Sequence, residues 1–380
     1  MRKKRQLLNV ICLSVALTVV SFFFPKNADN KVIFRAEPSI SSSNDDIKPV
    51  AHTPTNRVKY IVPVPKQEVV PTPTIDKKDI TLSFVGDCTI GTDTNFGYSR
   101  SFTDVFDKNN KDFDYFFRDV ESILDNDDLT IANLETTFTD ATKKRVKTFN
   151  FKGDPSYVNI LLDGSVEVVN LANNHTYDYL EKGYTDTVDT LEDASVGYYG
   201  NNVFLIKEVK GIKIGFAGFM GFDSGKNTCI QIDEAMKYFG DKDVDIKIVS
   251  FHWGVERNNY FNANQETLGK YAIDSGANLV IGHHPHVLQG IQEYKDAYIV
   301  YSLGNFVFGG NRNPADKDSM ILQQTFKFEG DKLVDDSINI IPVSISSVTN
   351  QNDYQPTILD GDGKVKVLNR INKYSKDFKY

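Results

Sequence analysis

"VIGHHPHVLQG", residues 280–290, carries an apolar, β-branched run into Gly282. It then sets His283, His284 and His286 within four positions, in a chain with six histidines in all. With the preceding "ANL" the run reads as a buried strand bounded by turn residues, so the imidazoles stand where that strand leaves the core. His175 closes "VEVVNLANNH" (166–175) and His252 closes "VDIKIVSFH" (244–252) in the same way, while "ITLSFVGD" (80–87) and "LTIANLE" (129–135) end on Asp87 and Glu135. Only His52 lies elsewhere, in a proline-punctuated stretch. Histidines scattered for packing have no reason to share strand ends, whereas ligands of a common site do.

Helical patterns separate these strands, at 113–125, 155–163, 181–194, 230–239 and 265–275. Alternation of this kind points to an α/β fold. "NVFLIKEVKGIKIGFAGF" (202–219) reads as a hairpin turning at Lys210–Gly211, and "AYIVYSLGNFVF" (297–308) adds late strands, so the sheet is expected to be mixed. Open α/β sheets bind ligands beyond the carboxyl ends of their strands, which brings Asp87, Glu135, Asn174, His175, His252 and the histidine triplet to one rim. Singly each has a plainer reading: Asp87 as a cap, Glu135 as an exposed carboxylate, "NNH" as turn chemistry. Their shared position is what outweighs those readings.

The start, "MRKKRQLLNVICLSVALTVVSFFFPK", places four cations (Arg2 to Arg5) before an apolar segment from Leu7 to Phe24. Residues 1–25 are therefore expected to form a signal or, more in keeping with the absence of a small-residue cleavage site, a single-pass membrane anchor. Cations stay on the cytoplasmic side, so the remainder is expected outside the cell. Residues 26–76, with Pro63, Pro65, Pro71 and Pro73, read as an extended linker; 77–345 as the folded domain; 346–380 as a polar, loosely packed tail. Cys88 and Cys229 follow the apolar segment, which itself holds Cys12, and two thiols permit one disulfide without requiring it. The net charge of −8, from 43 basic and 51 acidic residues, excludes a broad nucleic-acid footprint. "GFDSGKN" (221–227) falls short of a phosphate loop, because the glycine spacing is one short and Asn227 stands where a magnesium-binding hydroxyl belongs.

Carboxylates, a carboxamide and imidazoles, without a cysteine cluster, suit Mn, Fe or Zn. Six candidate donors exceed one tetrahedral ion, so two adjacent ions are expected, the arrangement of metal-dependent phosphoesterases. His175, beside Asn174, is free to donate a proton to a leaving group. Pro285 restrains the backbone so that His284 and His286 can share a target, leaving His283 as a spare, a supporting group or a ligand in place of His284. Arg257 and Arg312, near motif ends, are candidates for holding substrate.

"VGDCTIG", "ANLETTF", "NLANNHTYDYLEKG", "FHWG", "VIGHHPHVLQG" and "VYSLGNFVF", in this order over roughly residues 80 to 310, resemble the CapA family of poly-γ-glutamate capsule biosynthesis proteins, itself similar to the calcineurin-like metallophosphoesterases. The resemblance implies a four-layer α/β/β/α sandwich with mixed sheets, an extracellular membrane-anchored location, and work with other capsule proteins in making or exporting an anionic polymer. It implies Asp87, Glu135, Asn174, His252, His284 and His286 as metal ligands and His175 as acid, with Asn173, Asp178, His283 and Asn305 of the same motifs supporting the ligands or the substrate. Two positions depart from the wider phosphoesterase pattern: Thr89 stands where it has a histidine, and Glu135 where it has an aspartate. The rival expectations are a phosphodiesterase or phosphatase acting on cell-envelope phosphoesters, and a non-catalytic scaffold or polymer-binding component.

Overall fold

The computed structural model describes residues 76–380. The expected anchor over 1–25 and the linker over 26–75, with Cys12 and His52, lie outside the described residues.

Two mixed sheets face each other. In the first, the parallel strands Lys77–Thr89, Leu129–Leu134, Val168–Asn170 and Gly197–Tyr199 lie side by side. The antiparallel strands Asp318–Glu329, Lys332–Ser344 and Thr357–Ile358 extend it beyond Lys77–Thr89, and Asn305–Phe308 pairs with the end of that strand. In the second, Ala297–Val300, Leu279–His283, Ile246–Trp253 and Ile212–Gly221 run parallel between the antiparallel edges Ile291–Tyr294 and Leu205–Val209. The hairpin expected at Lys210–Gly211 is present, and both residues take positive φ (51° and 81°), which the tight turn between twisted strands requires.

The near-continuous apolar runs follow from burial on both faces of each sheet. Successive side chains point to opposite sides. Ile80, Leu82, Phe84, Ile131 and Val168 meet Ile214, Phe216, Ile246, Ile248 and Ile281 between the sheets. Their neighbours Val85, Cys88, Leu134 and Val169 pack with Phe102, Phe106, Ile160 and Leu191 of the helices Phe102–Lys108, Val158–Asp163 and Leu180–Asp193. On the far side Phe219, Val249, Phe251 and Trp253 meet Ile232, Met236, Phe239 and Leu268 of Lys226–Asp241 and Ala263–Asp274. Helix, sheet, sheet and helix make the four layers expected.

Two glycines let the sheets meet at the rim. A Cβ on Gly86 would sit 2.2 Å from the Gly304 carbonyl oxygen, and one on Gly282 would sit 2.0 Å from that of Tyr301. The chain from Ala297–Val300 to Asn305–Phe308 thus passes from the second sheet to the first by pressing on both strand ends, with the Asp87 amide donating to the Gly304 carbonyl at 2.9 Å. Only glycine tolerates such approach.

Three expectations are corrected. The 113–125 helix is instead a 3₁₀ turn, Asp114–Phe116, and a short helix, Glu121–Leu124. Phe116, Phe117, Val120 and Leu124 are all buried, and Val120, at φ −124° and ψ −8°, leaves helical geometry between the two pieces. The 166–175 strand ends at Asn170, whose side chain accepts from the Ala172 amide at 3.1 Å and bends the chain. Residues 346–380 are no loose tail: Tyr354 is fully buried, and helix Gly361–Tyr374 puts Val367 and Ile371 into the core between the sheets.

Burying Val367 and Ile371 is worth about 1.5–3 kcal/mol each. Deleting residues 346–380 should therefore lower the thermal midpoint sharply or leave the protein insoluble, while an unchanged melting curve would show that the segment does not belong to the core.

Candidate metal centre

Asp87 ends the first strand fully buried, so its charge must be met by protein groups. Asn133 Nδ2 donates to its Oδ1 at 2.8 Å, and the His284 amide to its Oδ2 at 3.2 Å. His286 Nδ1 lies 3.2 Å from Oδ2 and His283 Nδ1 3.4 Å from Oδ1. Burial opposes ionisation, yet these two imidazoles hold the carboxyl well below its ordinary range. Asn305, carried in by the crossing segment, fixes His286 through Oδ1 at 2.9 Å from Nδ1 and donates to the His286 carbonyl at 3.1 Å.

Glu135 lies at the next strand end, equally buried. Its Oε1 is 3.7 Å from His252 Nε2, 3.7 Å from His286 Nε2 and 3.8 Å from His175 Nε2, and neither carboxylate oxygen has a hydrogen-bond partner. Burial pushes this carboxyl well above its ordinary range, with His286 opposing. His252 Nε2 faces Asn174 Oδ1 at 3.0 Å and His284 Nδ1 at 3.1 Å. Burial drops His252 well below the usual imidazole range and His284 to about 4. His286 goes the other way: burial lowers it, but Glu135 and Asp87 outweigh burial and raise it to about 10.

The backbone is forced at this point. His284 and His286 take φ of 96° and 56° on either side of Pro285, a region that costs a side-chain-bearing residue of order 1–3 kcal/mol. That strain aims both rings at one spot.

His175 closes the third side. Asn173 shapes its turn, accepting from the His175 amide at 3.1 Å and donating to the Leu134 carbonyl at 2.8 Å. His175 Nδ1 meets Asp178 Oδ2 at 2.7 Å, which also accepts from the Phe151 amide at 2.6 Å. Lys147 Nζ sits 2.6 Å from Asp178 Oδ1 and 3.0 Å from the Asn174 carbonyl. Burial lowers the His175 pKa, and Asp178 opposes it.

Donor atoms of Asp87, Glu135 and His286 lie within 4.8 Å of one another, and so do those of Glu135, His252 and His284. The two sets share Glu135, whose unpartnered oxygens are what a buried carboxylate shows when its counter-charge is a cation, so the residues fit a bound metal. All six expected ligands come together, with Asn174 beside His252. A family described as "Bacterial capsule synthesis protein PGA_cap" matches residues 81–310.

The chain belongs to this capsule synthesis family. It is 30% identical over 325 residues to "Capsule biosynthesis protein CapA" of Bacillus anthracis, covering 78% of this chain and 73% of that protein. It is 32% identical over 274 residues to "PGA biosynthesis protein CapA" of Bacillus subtilis (strain 168), covering 66% and 69%. A solved structure of a novel phosphatase from Mycoplasma pneumoniae covers 70% of this chain and 95% of its own at 15% identity and a TM-score of 0.43, which adds nothing to the topology already described.

Within this PGA_cap domain, sequence reasoning missed Asn133, Lys147 and Glu256. Asn133 sits inside an apolar run, and the other two are charged residues in loops, next to other charges. Neither guanidinium candidate joins the donor sets: Arg257 is exposed, its amide donating to the Pro285 carbonyl at 2.8 Å, and Arg312 stacks on Phe96 and donates to the Gly97 carbonyl.

Two outcomes follow. His286 is raised from 6.5 to about 10, so its stabilising contribution is complete below the lower value and is lost as pH climbs toward the upper. Chelator-treated protein should thus lose thermal stability from pH 7 to 9, and Mn²⁺ should restore more of it at pH 9, where less proton must be displaced; a flat profile would contradict this. Replacing Glu135 by Gln removes the charge that, with Asp87, raises His286, so in a denaturant titration the metal-free variant should show a smaller stability loss between pH 7 and 9 than the native chain, and it should lose its response to metal.

Proposed function

We propose that this chain acts in the assembly or export of an anionic, poly-γ-glutamate-type capsule polymer, through a divalent-metal hydrolase-type site on the outer side of the cell membrane, where the residue 1–25 segment anchors it. The observation that supports the reading is the pair of donor sets sharing Glu135, with the His175–Asp178 pair alongside. Two divalent ions of the Mn, Fe or Zn kind would supply Lewis acidity and activation of water there. The chain's own residues do the rest. Asp178 fixes the His175 ring by its Nδ1, so that Nε2, on the Glu135 side, faces the site and would carry a proton for a leaving group once a bound anion favours the doubly protonated ring. Lys147 holds Asp178 and the Asn174 carbonyl in place together.

The rim suits a polyanion. Lys147 stands beside His175, its Nζ 3.2 Å from Nδ1, and closes the cationic run "KKRVK" (143–147) in a chain that is acidic as a whole. Among the described residues, Lys143, Lys144 and Arg145 form no ion pair. Arg145 lies over Tyr177 and Lys144 bonds Thr94 Oγ1. Clustered cations at a site mouth raise the local concentration of an anionic substrate. "GFDSGKN" (221–227) lacks the spacing and hydroxyl of a phosphate loop, and on this reading partner proteins of the capsule system supply the polymerisation energy.

The full-length chain should carry about two equivalents of Mn, Fe or Zn by elemental analysis, and the His284→Ala, His286→Ala double variant should lose them. Cells carrying Asp87→Asn or His175→Ala in place of the native protein should lose surface polymer. Full capsule in the Asp87→Asn cells would turn the reading to a scaffold. Capsule unaffected by deletion of the chain, with metal-stimulated turnover of an aryl phosphodiester, would turn it to an envelope phosphoesterase.

A further inference from the structure

Resting on the metal-centre reading, we infer that Glu256 is a further metal ligand, reaching the ions from the solvent side of the site. Its carboxylate forms a third convergent set with His284 and His286, donor atoms within 4.8 Å of one another. These two histidines belong one to each of the sets that share Glu135. Glu256 therefore stands against one histidine of each set, with Glu135 buried and Glu256 exposed.

The loop that carries Glu256 is placed and not merely nearby. Leaving strand Ile246–Trp253, it turns at Gly254 (φ 81°) and at Arg257 (φ 62°). Three hydrogen bonds then pin it to the histidine segment: the Arg257 amide to the Pro285 carbonyl at 2.8 Å, Asn259 Nδ2 to the Leu288 carbonyl at 2.9 Å, and Gln289 Nε2 to the Asn258 carbonyl at 2.8 Å. The same segment that forces His284 and His286 into strained backbone thus fixes the base of the Glu256 side chain. Among the described residues Glu256 takes part in no ion pair and no hydrogen bond that would spend its charge elsewhere.

Coordination arithmetic asks for such a donor. Asp87, Glu135 and His286 give one ion three protein ligands, while Glu135, His252 and His284, with Asn174, give the other four. Thr89, two residues after Asp87, is buried with its hydroxyl unpartnered and brings no anionic or imidazole donor. His283 approaches Asp87 but converges with no third group. Two divalent ions carry four positive charges against two carboxylates, and a third carboxylate moves that balance toward neutrality.

The test is Mn²⁺ titration calorimetry, with elemental analysis after dialysis, on the full-length chain. Wild type should bind about two ions. Glu256→Gln should bind about one, or the second at least about tenfold more weakly, since even groups behind a ligand cost about 10–100-fold. Glu256→His, which restores a donor, should recover the second ion and shift the visible spectrum of the Co²⁺-loaded protein. His252→Ala should weaken the other ion whatever Glu256 does. Two ions bound equally well by wild type and Glu256→Gln would overturn the role of Glu256 while leaving the centre intact. No metal in wild type would overturn both.

Discussion

Two buried carboxylates at the seam between two sheets set the terms for everything around them. Asp87 and Glu135 end neighbouring parallel strands, both closed to solvent, and like charges removed from water repel strongly. Protein groups answer only half of this. Asp87 is met by Asn133, His283, the His284 amide and His286, whereas both oxygens of Glu135 are left without a partner. An arrangement so costly persists because the surrounding structure over-determines it. The two glycines pressed by the 301–305 crossing and the strained His284 and His286 exist to bring groups from the second sheet against these acids. The fold can be understood as a device for closing one sheet's imidazoles over the other sheet's carboxylates.

That logic explains what the sequence discloses and what it hides. Strand-end histidines were legible because a β-branched run that stops at an imidazole is a local pattern, and strand topology then carries the loops to one edge. The Lys210–Gly211 turn was legible for the same reason, since it depends on two adjacent residues. Helix Gly361–Tyr374 was not: only Val367 and Ile371 are buried in a segment rich in lysine and asparagine, so its face is too narrow to stand out from a polar tail. The long hairpin Asp318–Glu329 and Lys332–Ser344 escaped because its outer strand is mostly exposed or half-exposed along its first half. Lys147 and Glu256 escaped for a different reason. A single charge in a loop acquires meaning only from what folds against it, and the partners of Lys147 are 27 and 31 residues away.

The imidazoles divide by the charges they face. His286 lies against both carboxylates and holds its proton, while His252 and His284, deeper among neutral donors and near that positive ring, give theirs up. His175 stands apart because its partner Asp178 is itself held by Lys147 and the Phe151 amide, and that tether fixes which nitrogen faces the site. Burial lowers the His175 pKa, Asp178 opposes it, and Lys147 adds a smaller push in the direction of burial. A ring so balanced can keep a proton at Nε2 when an anionic group arrives and release it once negative charge builds on a leaving atom. Which imidazoles hold a proton is thus set by their neighbours, and at His286 a cation would have to displace that proton.

Whether the centre holds one ion or two turns on Glu135. A carboxylate shared by two donor sets can serve one ion with either oxygen or two ions with both, and here each oxygen is equally free of protein partners. Without an ion the two sets rest differently: His252 Nε2, Asn174 Oδ1 and His284 Nδ1 lie within 3.0–3.1 Å contacts that a proton on Nε2 can satisfy, and Asp87 has His286 beside it. What no protein group answers is Glu135, and a buried carboxylate left in that state costs several kcal/mol in the interior. The substitution of threonine at residue 89 does not remove either cluster, because both are assembled from other strands. The unpartnered carboxylate shared by both sets is the feature of this structure that protein groups leave unanswered and that a bound cation would answer.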